Sequence, residues 1–141
     1  MAASRNSVLV VEDDLVTREI VTRYLDQAGF ITYAATTGEE ALAILRREGP
    51  RIDWLFTDIV LPGVIDGWIV GAEFHLSYPL RPVVYATATA ERSRSQAFGS
   101  LFVLKPYSPA SIVALFRKLA DGTSNPNSSV DGPVSGEALL A

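Results

Sequence analysis

The sequence contains no cysteine, a single histidine and a single methionine. Without cysteine there is no disulfide framework, no thiolate zinc site and no cysteine nucleophile. One histidine excludes a multi-histidine metal centre. Cations are also scarce: twelve Lys and Arg against sixteen Asp and Glu give a net charge of −4. That balance argues against a dedicated nucleic-acid binder, whose surface carries a basic face. No apolar run approaches the roughly 20 residues needed to span a bilayer. The segment Met1 to Ser7 is followed by no long apolar core of the kind a signal peptide requires. The expected compartment is therefore cytoplasmic, with no membrane and no nucleic acid as partner. What is present is ordinary for a globular domain: 141 residues, 48% hydrophobic and 20% charged.

Ser7 to Val11 is a short β-branched run that stops at three acids, Glu12, Asp13 and Asp14. Such runs read as strands buried on both faces of a parallel sheet. Val16, Ile20, Tyr24 and Leu25 then recur at helical spacing, and Gly29 supplies a stop. Phe30 to Ala35 reads as a second strand. Thr37 and Glu40 form a capping box, and the helix they start ends at Gly49-Pro50. A third strand from Trp54 ends at Asp58, and a loop with Pro62, Gly63 and Asp66-Gly67 leads into a helix from Trp68 to Ser77. A fourth strand over Pro82 to Ala86 ends at Thr87, and a fifth over Leu101 to Leu104 ends at Lys105. Ser108-Pro109 starts a last helix whose apolar face is Ile112, Val113, Leu115, Phe116 and Leu119. This alternation predicts an α/β fold with a parallel sheet covered on both faces. From Asp121 the composition turns to Gly, Ser, Asn and Pro, so residues 1–120 read as the domain and 121–141 as a flexible tail.

The informative feature is where the polar residues fall. The strands deliver Glu12-Asp13, Asp58, Thr87 and Lys105 to one edge of the sheet, the carboxyl edge where open α/β sheets bind ligands. Clustered carboxylates repel one another unless a cation neutralises them. An all-oxygen donor set selects a hard cation, and Mg²⁺ is the natural choice. A carboxylate can also act as a nucleophile toward a phosphoryl group, with a cation and Lys stabilising the transferring oxygens.

Four stretches in this order, each at a strand end, carry a resemblance: Val8-Leu-Val-Val-Glu-Asp-Asp14, Phe56-Thr-Asp-Ile-Val-Leu-Pro-Gly63 with Asp66-Gly67, Val83-Val-Tyr-Ala-Thr-Ala88, and Leu104-Lys-Pro-Tyr107. The chain resembles the receiver domain of two-component response regulators up to about Ala120. The resemblance implies a flavodoxin-like, doubly wound five-stranded parallel sheet with strand order 2-1-3-4-5. It implies that Asp58 accepts a phosphoryl group from a histidine kinase or phosphotransfer protein in a Mg²⁺-dependent reaction. Asp13, Glu12, Asp58 and the backbone carbonyl of Val60 would serve the metal, Glu12 through water. Thr87 would hydrogen-bond a phosphoryl oxygen and Lys105 would pair with the phosphoryl group or with Asp58. Thr87 and Phe102 would form the switch, and the Lys105-Pro106 bond is often cis in this family. No output domain fits after Ala120 in this sequence, so signalling to a downstream protein by contact is expected rather than enzymatic turnover. A homodimer through the last strand and helix stays open.

Two departures stand out. The loop between Asp58 and Asp66-Gly67 is one residue longer than the family's usual pattern. The segment from Ala88 to Ser100 is shorter than the family's usual one and lacks an apolar helical stripe, which points to a short or irregular fourth helix, and Tyr85-Ala-Thr87 with Lys105-Pro-Tyr107 is similar to an atypical subgroup of the family with a reduced fourth helix. That segment motivates an alternative, a receiver-like interaction module that is not phosphorylated. A third reading is an aspartyl-phosphate phosphatase or phosphotransferase of the haloacid-dehalogenase type, which usually has a second Asp where this chain has Val60. Plainer roles accompany the sharp ones: Asp14 as a helix cap, Trp54 and Trp68 as packing residues, His75 as a partly exposed surface residue, and Arg92 and Arg94 as solvated cations.

Overall fold

The computed structural model describes residues 5–89 and 99–124. Five strands, β1 (Ser7–Val11), β2 (Ile31–Ala35), β3 (Trp54–Asp58), β4 (Val83–Thr87) and β5 (Ser100–Leu104), form one parallel sheet in the order β2-β1-β3-β4-β5. The described helices are α1 (Leu15–Gln27), α2 (Gly38–Glu48), α3 (Gly67–Ser77) and α4 (Pro109–Ser124), with a 3₁₀ turn at Gly49–Arg51. The alternation points to a parallel sheet covered on both faces, and the flavodoxin-like strand order is the one the resemblance implies. The expected short or irregular fourth helix, and with it Arg92 and Arg94, falls on residues 88–100, of which 90–98 lie outside the described residues.

The three central strands are buried along their whole length, because each faces helices on both sides. Alternation along the strands sorts their side chains into two cores. Val8, Val10, Phe56 and Val84 meet α1 and α4 through Leu25, Ile112 and Phe116. Leu9, Val11, Leu55 and Tyr85 meet α2 and α3 through Ile44, Val70 and Phe74. The first core is an aromatic cluster in which Trp54 packs against Phe30 and Phe116.

Caps set the helix starts. Asp14 accepts from Thr17 N–H, Thr37 from Glu40 N–H, Asp66 from Ile69 N–H and Ser108 from Ser111 N–H, each satisfying a donor that the first turn leaves unpaired. Gly29 ends the turn after α1 with φ +100°, a conformation that favours glycine.

Two expectations change. Of the four apolar residues at helical spacing on α1, only Leu25 is buried; Val16, Ile20 and Tyr24 are exposed, and Val21 is the second buried residue. Val21 and Leu25 lie one residue, about 100° around the helix, from the line 16-20-24, and it is their line that faces the sheet. The last helix also runs past Ala120 to Ser124, because Leu119 and Ala120 still pack against the first core and the helix continues beyond that anchor. The rest of the expected tail, residues 125–141, lies outside the described residues. Among the described residues, no helix is long and apolar enough to cross a membrane.

Candidate functional site

Strand register brings the predicted polar residues to one edge. Asp58 closes β3 opposite Ala86, and Thr87 closes β4 opposite Leu104. Beyond the strand ends the pairing continues by single backbone bonds, Glu12 N–H to Ala35 C=O at 3.1 Å and Lys105 N–H to Thr87 C=O at 2.8 Å. Lys105 is therefore drawn toward Asp58 by the sheet itself. Its peptide bond to Pro106 is cis.

Glu12, Asp13 and Asp58 each present a carboxylate oxygen within 4.8 Å of the others. Glu12 and Asp58 are buried and Asp13 is exposed. Lys105 Nζ lies 2.5 Å from Asp58 Oδ1 and 3.9 Å from Glu12 Oε1. Among the described ion pairs, this is the single cation facing the three acids. Burial pushes the Glu12 carboxyl up to about 7, and the charge of Asp58 adds to the rise, while the Asp14 N–H that Glu12 Oε2 accepts at 3.0 Å opposes it. Burial alone would lower the Lys105 ammonium, but its bond to Asp58 reverses that and holds it above the usual range. Burial, followed by the charges of Glu12 and Asp58, also raises the Tyr107 phenol.

Thr87 is buried at the neighbouring strand end, and its Oγ1 accepts from Thr89 N–H at 3.2 Å. Val60 stands on the rim, two residues beyond Asp58, with its side chain 82% exposed. Phe102 is not at the edge. It is buried against α3, with its ring stacked on Tyr85 at 5.4 Å and 6.1 Å from Trp68. Trp54 and Trp68 both pack against other rings, as expected. His75 is half-buried, with burial lowering its pKa.

Two contacts of this region were not read from the sequence. Gly67 packs so closely beneath Asp58 that a Cβ there would collide with the Asp58 carbonyl oxygen. Asp66-Gly67 signals a turn, but the contact behind it becomes visible only once α3 is docked. Arg18 donates to the Glu12 carbonyl at 2.8 Å. A side chain reaching back six residues to a backbone oxygen leaves no periodic signal. The longer β3–α3 loop is accommodated at Gly38, where a Cβ would collide with Ile65, and Val64 at its tip is exposed.

Chemically, the cluster offers three anionic oxygen donors and one ammonium in a partly dry pocket. That donor set fits a hard divalent cation, and a carboxylate held at such a cation can be an acceptor for a phosphoryl group.

Comparison with known proteins agrees with this geometry. A family model described as "Response regulator receiver domain" matches residues 8–117. A protein from Cyanophora paradoxa named "Probable transcriptional regulator ycf27" is 32% identical over 143 residues, covering 99% of this chain and 58% of that protein. The chain thus spans little more than half the length of that relative. An uncharacterized 14.6 kDa protein from Leptolyngbya boryana is 31% identical, over 79% of this chain and 87% of its own length. Among solved structures, a response regulator receiver protein from Sinorhizobium medicae superposes with a TM-score of 0.76 at 25% identity, covering 85% of this chain and 98% of that one. The chemotaxis protein CheY4 of Vibrio cholerae gives 0.72 at 23% identity over 82% and 98%, a likeness of fold. The chain belongs to the response regulator receiver domain family.

Proposed function

We propose that this chain is a phosphoryl-accepting receiver of a two-component pathway, with residues 1–120 as its functional unit and Asp58 as the acceptor. The observation that carries this reading is the convergence of Glu12, Asp13 and Asp58 within 4.8 Å around one ammonium, Lys105, bonded to Asp58. Three acids against one cation leave the pocket short of positive charge, and their oxygens suit Mg²⁺. Glu12, Asp13, Asp58 and the Val60 carbonyl would hold it, Glu12 through water. When bound, Mg²⁺ supplies positive charge against the phosphoryl oxygens.

An Asp58 carboxylate oxygen attacks phosphorus while the bond from phosphorus to the donor imidazole nitrogen breaks. The product is an acyl phosphate, and the imidazole leaves with its electron pair. Lys105 keeps its proton and moves its bond from the carboxylate to a phosphoryl oxygen. Thr87 Oγ1 donates to another phosphoryl oxygen, and the new dianionic group reorders the surface around β4, β5 and α4 by a shift in conformer populations. Phe102, the expected switch aromatic, starts from a buried position.

The phosphodonor is a histidine kinase or phosphotransfer protein, and the readout is contact with a downstream protein. Leu15, Val16, Ile20 and Tyr24 form an exposed apolar line that begins beside Asp14 and runs away from the pocket, and an exposed line of this kind suits a partner helix. Position 60 is Val, so the second acid typical of haloacid-dehalogenase phosphatases is missing, and the reading is of a signalling module without a turnover substrate.

The test is intact mass after incubation with acetyl phosphate, with and without Mg²⁺, on wild type and Asp58→Asn. The expected result is one added phosphoryl group that needs Mg²⁺ and vanishes in the variant. A persistent failure with acetyl phosphate, phosphoramidate and a phosphorylated protein donor would favour the non-phosphorylated interaction module.

A further inference from the structure

We propose that Arg18 is a positioning residue for the cation: its guanidinium fixes the Glu12–Asp13 peptide unit and thereby aims the Asp13 carboxylate into the acid cluster. This inference rests on the reading that the three acids hold Mg²⁺.

Three observations carry it. First, Arg18 Nη1 donates to the Glu12 carbonyl at 2.8 Å, and Arg18 itself is held in the first turns of α1 by its own N–H to Asp14 C=O at 2.9 Å. Second, Arg18 is half-buried, and although it touches the Glu12 backbone it makes no ion pair with Glu12, Asp13 or Asp58 among the described residues. Its charge-assisted bond goes instead to a neutral backbone oxygen, which is what a group that fixes geometry does. Third, Asp13 is exposed and has no hydrogen bond of its own among the described residues. Its direction is therefore set by the peptides on either side.

The backbone on either side of Asp13 is tied down at three further points. Glu12 N–H is bonded to Ala35 C=O, Asp14 N–H to Glu12 Oε2, and Asp14 Oδ2 accepts from both Thr17 N–H and Thr17 Oγ1. The Glu12 carbonyl is the one hydrogen-bonded group of the peptide that leads into Asp13 among the described contacts, and Arg18 is its donor. With that bond removed, the peptide can rotate and the Asp13 carboxylate loses its fixed aim. A cation site loses affinity when one ligand must be reoriented on binding, in the same way that removing the partners that orient metal ligands weakens metal sites.

The sign of the effect separates positioning from simple charge. Removing a cation from beside three carboxylates tightens Mg²⁺ binding if only charge matters. Positioning demands the opposite. Isothermal titration calorimetry with Mg²⁺ on wild type, Arg18→Met, Arg18→Gln and Arg18→Lys reads this directly, alongside thermal unfolding in EDTA to confirm a cooperative fold. The expected result is Mg²⁺ affinity about tenfold weaker in Met and Gln, a magnitude seen when orienting partners of metal ligands are removed. Lys can still donate to one carbonyl and recovers part of the loss. Acetyl phosphate labelling of Asp58 should regain the wild-type rate once Mg²⁺ is raised to saturation. Equal or tighter Mg²⁺ binding by Arg18→Met overturns the inference, and Arg18→Gln decides in the same way if the Met variant does not fold. If wild type binds no Mg²⁺, it is the underlying cation reading that falls.

Discussion

At the amino-terminal edge of the sheet, charged side chains are bonded to the backbone. Asp53 accepts from Ser7 N–H at 2.8 Å, just before β3, and Arg81 donates to the carbonyls of Gly49 and Ile52 while stacking 4.1 Å over the Tyr78 ring. At the carboxyl edge of the same strands, Glu12, Asp13 and Asp58 converge on one another with Lys105 as their shared counter-charge. The first pattern pairs each half-buried charge with a fixed dipole, which holds loops in place. The second buries and crowds like charges; burial first, and then the charge of Asp58, raises the Glu12 pKa, and the acids are left to be neutralised by something from solution. One edge is built for rigidity and the other for binding, and substitutions at each should separate the two properties.

The largest effect is expected at Gly67, where structure and site meet. A Cβ there collides with the Asp58 carbonyl oxygen and the neighbouring Ile59 backbone. Neither can swing away as a flexible side chain would. Gly67→Ala should cost roughly 3 kcal/mol or more, at the upper end of overpacking, and should also weaken Mg²⁺ binding by displacing Asp58. Urea unfolding and calorimetric Mg²⁺ titration on the same preparation check both. A variant with unchanged stability would show that α3 can slide, and that the carboxyl edge is looser than its contacts indicate.

Arg81→Ala tests the opposite edge. It removes the donor shared by Gly49 and Ile52 and the cation over Tyr78. Hydrogen bonds from charged groups contribute about 1.5–3 kcal/mol, and because Arg81 is half-exposed a loss of about 2 kcal/mol is expected. Mg²⁺ affinity and acetyl phosphate labelling should stay at wild-type levels. A change in either would mean that the two edges are coupled through the sheet.

Much of this contrast was legible beforehand, for a physical reason. A strand buried on both faces must be apolar throughout, so the first polar residue after each run marks the strand end, and Glu12, Asp58, Thr87 and Lys105 stood out on that basis. The caps at Asp14, Thr37 and Ser108 were legible because their chemistry is local. What escaped the sequence depends on how elements dock. Spacing shows that α1 has an apolar stripe, but the line 16-20-24 differs from 21-25 by one step around the helix, and only packing decides which faces the sheet. The burial of Phe102 depends on Tyr85, whose hydroxyl fits because residue 71 is glycine; a Cβ there would collide with it. Arg18 makes its contact with a backbone atom, and residue patterns carry no record of that.

The smallest effect sharpens the comparison by pH alone. Burial pushes the Glu12 carboxyl up to about 7 in the folded chain, against 4.5 for a free glutamate. Between those values the folded state holds a proton that the unfolded state has released. Stability in EDTA therefore falls as pH rises through this window, and flattens above it once both states are ionised. Each unit of separation is worth about 1.4 kcal/mol, and roughly two units of it lie between pH 5 and 8, so a decline on the order of 2 kcal/mol is expected by urea unfolding. Glu12→Gln should remove most of the slope, since the amide has no proton to lose. Saturating Mg²⁺ should remove it as well, because a cation favours the ionised carboxylate and offsets the repulsion from Asp58. Asp53 lies at the other edge, bonded to a backbone N–H, and serves as the control: Asp53→Asn should leave the Glu12 slope intact. A slope that survives Glu12→Gln but disappears in Asp53→Asn would reverse the assignment of the two edges.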